Sequence, residues 1–452
     1  MKPKFIATSR DQQLLFPPSI QDWLPEKHLA RFIVDIVSQL DLRPLAEAYA
    51  GKGHKAYHPE ILLSLLFYGY ATGVFSSRKI EQATYDSVAF RFISANTHPD
   101  HDTIANFRKR FLEQLKPLFV HILMLAREMG LLKLGKVSLD GTKVKANASK
   151  HHALSWDHAC KLEQQLRDEV EELIRLAEQA DSAEIPDGMD IPEELSRRQD
   201  RLHAIAEAKA KIEERAEQRH ALEQKEYEEK MAARQAKAKA TGKKPRGRDP
   251  QPPTPGPRKK DQVNLTDEES RIMPSSDKGF VQAYNAQATV DVDTMLIVES
   301  HISQATNDKQ EIIPSLAALQ DLPEELGQVN TMLADAGYYS DTNVTSCEQA
   351  DIDPFIPPSR DKHNQPMLER FTDPSPLPED AAPIDKMRNK LKTPDGRKIY
   401  AGRKSTVEPV FGIIKNIMGF QQFFLRGLDA VAGEWTLVSI AWNIKRLYSL
   451  NG

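Results

Sequence analysis

The chain has 452 residues, with 61 Lys and Arg against 65 Asp and Glu, a formal net charge of -4 and 40% hydrophobic residues. That length exceeds one small core and implies two or three folded units, while the near-balanced charge excludes a protein that coats nucleic acid through bulk positive charge. Two cysteines far apart, Cys160 and Cys347, exclude a disulfide framework and a cysteine-based zinc site and fit a reducing cytoplasm.

The first ten residues lack the apolar stretch of a secretory leader, so secretion is not expected. Residues 1–130 read as a helical unit. Apolar residues recur at helical spacing from His28 to Leu40 and from Pro59 to Tyr70, where Pro59 suits a first turn. The most apolar stretch, Ile61 to Val74, is interrupted by Ser, Gly and Thr and is shorter than the roughly 18 residues of a membrane span, so it reads as a buried helix and no membrane partner is expected. A third helix is predicted from Lys79 to Ile93. A fourth runs from Thr103 to Leu115, capped by Asp102 and carrying Asn106, Arg108, Lys109 and Arg110. Short helices ending in a basic one are compatible with a helix-turn-helix DNA reader, which makes Arg108, Lys109 and Arg110 candidate DNA contacts. Plain solvation of a surface helix fits the same residues.

The texture changes at Gly135. Lys136 to Ala146 alternates like a strand, with a break expected at Asp140-Gly141. A charged block over 151–263 follows. Leu166, Val170, Leu173 and Ala177, then Leu202, Ile205, Ile212 and Ala216, repeat at heptad-compatible spacing, interrupted around Pro186 to Pro192, which predicts a helical hairpin or coiled coil. The block closes in a proline-rich segment read as a linker. Between Lys230 and Lys260 there are eleven Lys and Arg and one acid, Asp249. Such a run could neutralise phosphates without reading bases, or serve as a solvated linker.

From Asn264 strands return. Ala283 to Val290 and Met295 to Ser300 pair across the turn at Asp291 to Thr294, followed by a helix from Lys309 to Leu319 and a strand from Thr331 to Ala334. A helix around Tyr339 to Gln349, a strand from Pro354 to Ile356 and a helix after Ser405 complete the order. With the charged block set aside, this predicts an α+β chain: a mixed sheet with helices packed on it, in the order of an RNase H-like core interrupted after its first strand. The organisation read is thus 1–130 helical and DNA-binding, 135–150 with 264–452 the core, and 151–263 a helical insertion.

Three acids fall at matching places in that order: Asp140 on the first strand, Asp335 ending the fourth and Glu408 opening the last helix. Phosphodiester chemistry can be run by two magnesium ions about 4 Å apart, which take hard carboxylate ligands converging from separate elements. Each acid also has a plainer reading. Asp140 and Asp335 each precede a turn-forming glycine or Ala-Gly pair, and Ser405-Thr-Val-Glu408 matches a capping box.

The chain resembles the bacterial insertion-sequence DDE transposases, particularly the group numbered eleven eighty-two. The likeness rests on His58-Pro-Glu60, Ser77-Arg78, Asp102-Thr-Ile-Ala-Asn-Phe-Arg108, Leu139-Asp-Gly-Thr142, Tyr284-Asn-Ala-Gln287 and Ala334-Asp-Ala-Gly-Tyr-Tyr-Ser340. It ends in a Tyr-Arg-Glu-Lys signature, here Tyr400-Ala-Gly-Arg-Lys-Ser-Thr-Val-Glu-Pro-Val-Phe-Gly-Ile-Ile-Lys415. The resemblance implies binding of terminal inverted repeats, strand cleavage and strand transfer with Mg²⁺ (Mn²⁺ substituting), double-stranded DNA as partner, and a homo-oligomer in the synaptic complex of a bacterial, nucleoid-associated protein. It also implies DNA contacts from Tyr400, Lys415 and one signature cation. The family's usual spacing leaves three residues between that cation and the glutamate; Arg403 leaves four and Lys404 leaves three, so both stay candidates. Positions 404, 408, 411 and 415 would share one face if the last helix extended back that far. A non-catalytic, domesticated DNA-binding relative and a metal nuclease that cuts without joining remain the alternatives.

Overall fold

The N-terminal apolar stripes become helices. In a computed structural model that describes residues 19–49, 56–178, 191–241, 247–275, 279–359, 374–378 and 381–451, α1 (Leu29–Ser38) is capped by His28, whose Nδ1 accepts from Ala30 N. The short α2 (Arg43–Glu47) follows. α3 (Pro59–Thr72) is buried on nearly every side through Leu62, Leu63, Leu65, Leu66 and Phe67, and ends at Gly73, whose φ of 85° gives the left-handed turn that glycine adopts without strain. The helix expected over 79–93 is two, α4 (Ser77–Asp86) and α5 (Val88–Ile93), because Ser87 is extended between them. α6 (His101–Arg110) is capped by Asp100 rather than Asp102, through Asp100 Oδ1 and Thr103 N at 2.7 Å. α7 (Leu115–Glu128) leads to β1 (Leu134–Lys145), which runs unbroken through Asp140-Gly141 where a break was expected.

By contacts the chain divides into two compact units, 1–145 with 284–452, and 146–283. The expected insertion, 151–263, lies inside the second. There β2 (Ala153–Ser155) leads into α8 (Trp156–Glu178) and the 51-residue α9 (Ile191–Thr241), and β3 (Gln262–Asn264) returns antiparallel to β2. Leu154, Ala159, Leu166, Ile205, Ala208, Ile212 and Val263 form its core, so Leu166, Ile205 and Ile212 of the predicted repeat pack there, with Leu202 beside them. The proline-rich segment is tied to α9 instead of hanging as a linker. Arg219 pairs with Asp261 at 2.7 Å, Arg258 with Glu223 at 2.8 Å and Arg234 with Asp249 at 2.9 Å. Lys243, Lys244 and Arg246 of the basic run, and most of the break around Pro186, lie outside the described residues. β4 (Arg271–Pro274) closes the unit by pairing antiparallel with the first residues of β5 (Phe280–Asp291).

In the first unit β5 pairs antiparallel with β6 (Ile297–Ser303) across a turn in which Asp291 Oδ2 accepts from Thr294 N at 2.9 Å. After α10 (Ile312–Gln320), β7 (Gly327–Leu333) pairs parallel with β1. α11 (Asp341–Gln349) is the crossover that parallel pairing needs before β8 (Asp353–Phe355), the edge strand, where Pro354 is tolerated. The strand order is β6-β5-β1-β7-β8, a mixed sheet. α12 (Pro383–Lys392), α13 (Pro394–Ala401), α14 (Val407–Gly412) and α15 (Leu428–Asn451) follow. α15 packs on β6, α3 and α7, so the N-terminal helices and the sheet share one core. Its Asn443 bonds the Ile297 amide at 2.8 Å and carbonyl at 2.7 Å, and Trp435 Nε1 donates to Gln287 O at 2.9 Å. Among the described residues no helix is long and apolar enough to cross a membrane.

Candidate active site

β1 and β7 are parallel neighbours with Ser138 opposite Leu333, a register that brings Asp140, midway along β1, level with Asp335 just past the end of β7. Asp140 lies on β1 with Oδ1 accepting from Gly141 N at 2.8 Å. Asp335, two residues past β7, opens a 3₁₀ turn, its Oδ1 accepting from Gly337 N at 2.6 Å. Burial pushes the Asp140 carboxyl up to about 6; Arg403 and the Gly141 amide oppose this, and the negative charges of Asp335 and Asp308 add to it.

Glu408 enters from α14. The capping-box alternative does not form: Ser405 Oγ donates to Gly402 O at 3.0 Å, and no side chain caps α14. Residues Gly402–Ser405 make a 3₁₀ turn, so α14 does not extend back to position 404. The turn aims Arg403 inward. Its Nη1 donates to Asp140 Oδ2 at 3.2 Å and its Nη2 to Glu408 Oε1 at 2.9 Å, with the Arg403 side chain 12% exposed, while Lys404 is exposed. Burial works against its charge, but Tyr400, Asp140, Glu408 and Asp335 outweigh burial and raise its pKa. Tyr400 thus sits, half-buried, near the same guanidinium.

Lys415, in the wide turn after α14, reaches back to β1. Its Nζ donates to Thr142 Oγ1 at 2.5 Å and to Lys143 O at 2.8 Å, and burial, with the nearby Lys143 charge, lowers its pKa. Of the basic helix, Lys109 is exposed. Arg110 lies over the Tyr49 ring and bonds Ala48 O. Arg108 departs from its expected surface role: it is 9% exposed, its Nη1 donating to Tyr70 OH at 2.9 Å and Phe75 O at 3.2 Å inside the core. A helix that must bury one face against α3 turns this arginine inward.

Among the described residues no three His, Cys, Asp or Glu side chains meet closely enough to hold a metal ion as they stand. Arg403 occupies the space between Asp140 and Glu408.

Residues 18–110 match the family model described as Transposase domain (DUF772), and residues 252–444 match the Transposase DDE domain. The chain belongs to the DDE transposases of insertion sequences. No curated protein and no solved structure matches it. In this transposase Asp335, Arg403, Glu408 and Lys415 lie within the second matched segment, whereas Asp140 lies outside both and joins them through the sheet and Arg403.

One residue near the acids escaped sequence reasoning altogether. Asp308 Oδ1 accepts from Asn285 Nδ2 at 2.6 Å, Gln287 Nε2 at 2.8 Å and Lys143 Nζ at 3.4 Å. The available signal was Tyr284-Asn-Ala-Gln287, two amides spaced to share a face of one strand.

Proposed function

We propose that this transposase binds the terminal inverted repeats of its insertion sequence and catalyses metal-dependent strand cleavage and strand transfer, with Asp140, Asp335 and Glu408 as metal ligands. The observation that carries the reading is Arg403, which bonds Asp140 and Glu408 at once while the Asp335 charge acts on both Asp140 and the guanidinium. Acids from three distant segments therefore act on one guanidinium, Asp140 and Glu408 through hydrogen bonds and Asp335 through its charge. The order β6-β5-β1-β7-β8, antiparallel on one side of β1 and parallel on the other, supports an RNase H-like core, and residues 146–283 between β1 and β5 support a helical insertion in it.

The donor set fits Mg²⁺, or Mn²⁺ in its place: carboxylate oxygens are hard ligands, and the burial that raises Asp140, with the lesser push from the Asp335 and Asp308 charges, is what a divalent cation would offset. Such ions supply an activated oxygen nucleophile and charge stabilisation at the phosphate. The chain's own residues do the rest. Asp140 and Glu408 would hold the ion, and Arg403, which bonds both in this structure, would then offer a forked donor suited to a DNA phosphate. Lys415 ties down the strand that carries Asp140, and with Tyr400, Lys404, Lys109 and Arg110 it completes the proposed DNA contacts. Arg108 is left out because its guanidinium is committed to the core. A homo-oligomer assembles on the two ends.

The test is purified protein with a supercoiled plasmid carrying the flanking terminal repeats and Mg²⁺. Joined products are expected. Nicks alone would make the protein a nuclease, and binding without either would make it a non-catalytic DNA-binding protein.

A further inference from the structure

Asn285 and Gln287 project from one face of β5, and both are fully buried. Their amide nitrogens converge on one oxygen of Asp308, at 2.6 and 2.8 Å, and Lys143 reaches the same oxygen from β1. The other end of the Gln287 amide is also engaged, since its Oε1 accepts from Tyr338 OH at 2.5 Å. Tyr338 belongs to the turn that Asp335 opens. Asn343 closes the ring: its Nδ2 donates to Tyr338 O and to Lys309 O, each at 2.7 Å, and Lys309 adjoins Asp308 in the chain.

The same cluster presses on the strand of the first acid. A Cβ added at Gly141, next to Asp140, would run into the Gln287 amide and stand 2.8 Å from Asp308 Oδ1. Glycine is needed there to let the amide and carboxylate approach the backbone. One ring of hydrogen bonds therefore touches both aspartate-bearing segments, at Gly141 on one side and at Tyr338 on the other.

We infer that Asp308 is a positioning residue that holds the Asp140 and Asp335 segments at the spacing their metal ion requires. The inference rests on the proposed ligand role of those two aspartates. Asp308 fixes Gln287, Gln287 fixes Tyr338 and packs on Gly141, and neither aspartate has to spend its own oxygens on the other segment. A charged acceptor suits the task because it satisfies two amides and an ammonium together.

The experiment uses the full-length protein and its Asp308→Ala, Asp308→Asn, Tyr338→Phe and Asp140→Asn variants. Mn²⁺ affinity is read by calorimetry without DNA, and the Mg²⁺ concentration for half-maximal strand cleavage is read on a terminal-repeat duplex. Asp308→Ala is expected to weaken Mn²⁺ binding and raise the Mg²⁺ requirement by about 10-fold or more, the usual effect of losing an outer partner of a metal site. Asp308→Asn keeps an acceptor oxygen for Asn285 and Gln287 and is expected to restore most of the affinity. Tyr338→Phe removes one link without touching an acid and is expected to shift Mn²⁺ affinity in the same direction, which keeps the test open should Asp308→Ala fail to fold. Wild-type Mn²⁺ affinity in Asp308→Ala, or in Tyr338→Phe, would overturn the positioning role. So would Asp308→Asn binding Mn²⁺ as poorly as Asp140→Asn, which would make Asp308 a ligand itself. If Asp140→Asn alone binds Mn²⁺ and cleaves like wild type, the ligand assignment beneath the inference fails instead.

Discussion

Tyr70 on α3 donates its hydroxyl to Glu434 on α15 at 2.8 Å, joining two helices 364 residues apart. Arg108 donates to the same hydroxyl, and the second Glu434 oxygen accepts from the Phe424 and Leu425 amides at 2.9 and 3.0 Å. A carboxylate with no exposed surface is stable there only because every oxygen has a partner. Glu434→Ala leaves the arginine buried and uncompensated and is expected to cost about 3–5 kcal/mol. Tyr70→Phe, which breaks the middle link, is expected to cost about 1–3 kcal/mol. Urea unfolding monitored by tryptophan fluorescence measures both, and an unchanged midpoint in Glu434→Ala would remove the trio from the stability of this unit.

Substituting Asp140, Asp335 or Glu408 by Ala is expected to abolish strand cleavage in Mg²⁺ and in Mn²⁺ while specific binding to the transposon end survives. Ca²⁺, with longer and looser bonds, is expected to support binding and little cleavage in the wild type. Gel-shift and cleavage assays on one labelled duplex separate the two activities. Cleavage retained in any single variant takes that residue out of the site.

Arg403 and Lys404 are expected to behave differently although they are adjacent. Arg403→Gln removes the forked donor proposed to meet the phosphate and is expected to lower the cleavage rate at saturating DNA by about 100-fold. Lys404→Gln removes one exposed charge. It is expected to keep the rate at saturating DNA and to flatten the slope of log affinity against log salt by about 0.9. Equal effects of the two substitutions would mean that the Arg403 bridge has no part in the reaction.

His301 gives the first unit a pH dependence away from the acids. Its Nδ1 lies 2.8 Å from Glu299 Oε1 and its Nε2 3.0 Å from Glu311 Oε2. Burial disfavours the imidazolium, but these two bonded carboxylates prevail and push the pKa up to about 9. A folded pKa above the unfolded value of about 6.5 gives stability that is fully present below pH 6.5 and is lost as pH rises through 9, about 3 kcal/mol in all. Unfolding free energies at pH 6 and pH 9.5 should differ by that order in the wild type. In His301→Gln the difference between these two pH values should largely vanish, and its persistence there would assign it to other groups.

What the sequence reveals depends on whether a residue's partners are local. α1 buries one face, α3 is an unbroken apolar run and the β5–β6 hairpin bounds one turn, so local pattern finds all three. Leu166, Ile205 and Ile212 of the heptads of α8 and α9 are likewise packed positions. Asp140-Gly141 looks like a turn because Asp-Gly favours one locally. In the fold, pairing of β1 with its neighbours overrides that preference, and the glycine serves a close approach instead. Ser405 to Glu408 matches a capping box for the same local reason, yet Arg403, drawn in by Asp140, claims the glutamate. Arg108 reads as a surface cation because its partners Tyr70 and Phe75 are remote in the chain. Asp308 has no local pattern at all: its donors come from β1 and β5.

The chain leaves β1 at Lys145 and re-enters the first unit at Tyr284, within the neighbouring strand β5. Pairing β1 with β5 must therefore close a loop that spans all of residues 146–283, and that closure is an entropic barrier to folding. The β2–β3 pairing shortens the free part of this loop to roughly two dozen residues once the α8–α9 hairpin has formed from its own contacts. With closure entropy growing as (3/2)RT ln n, the shortcut lowers the barrier by about 1.5 kcal/mol. Formed first, the helical hairpin would act as a folding clamp for the pairing of β1 with β5. Weakening it at Ile212 would slow formation of the sheet more than it loosens the finished one.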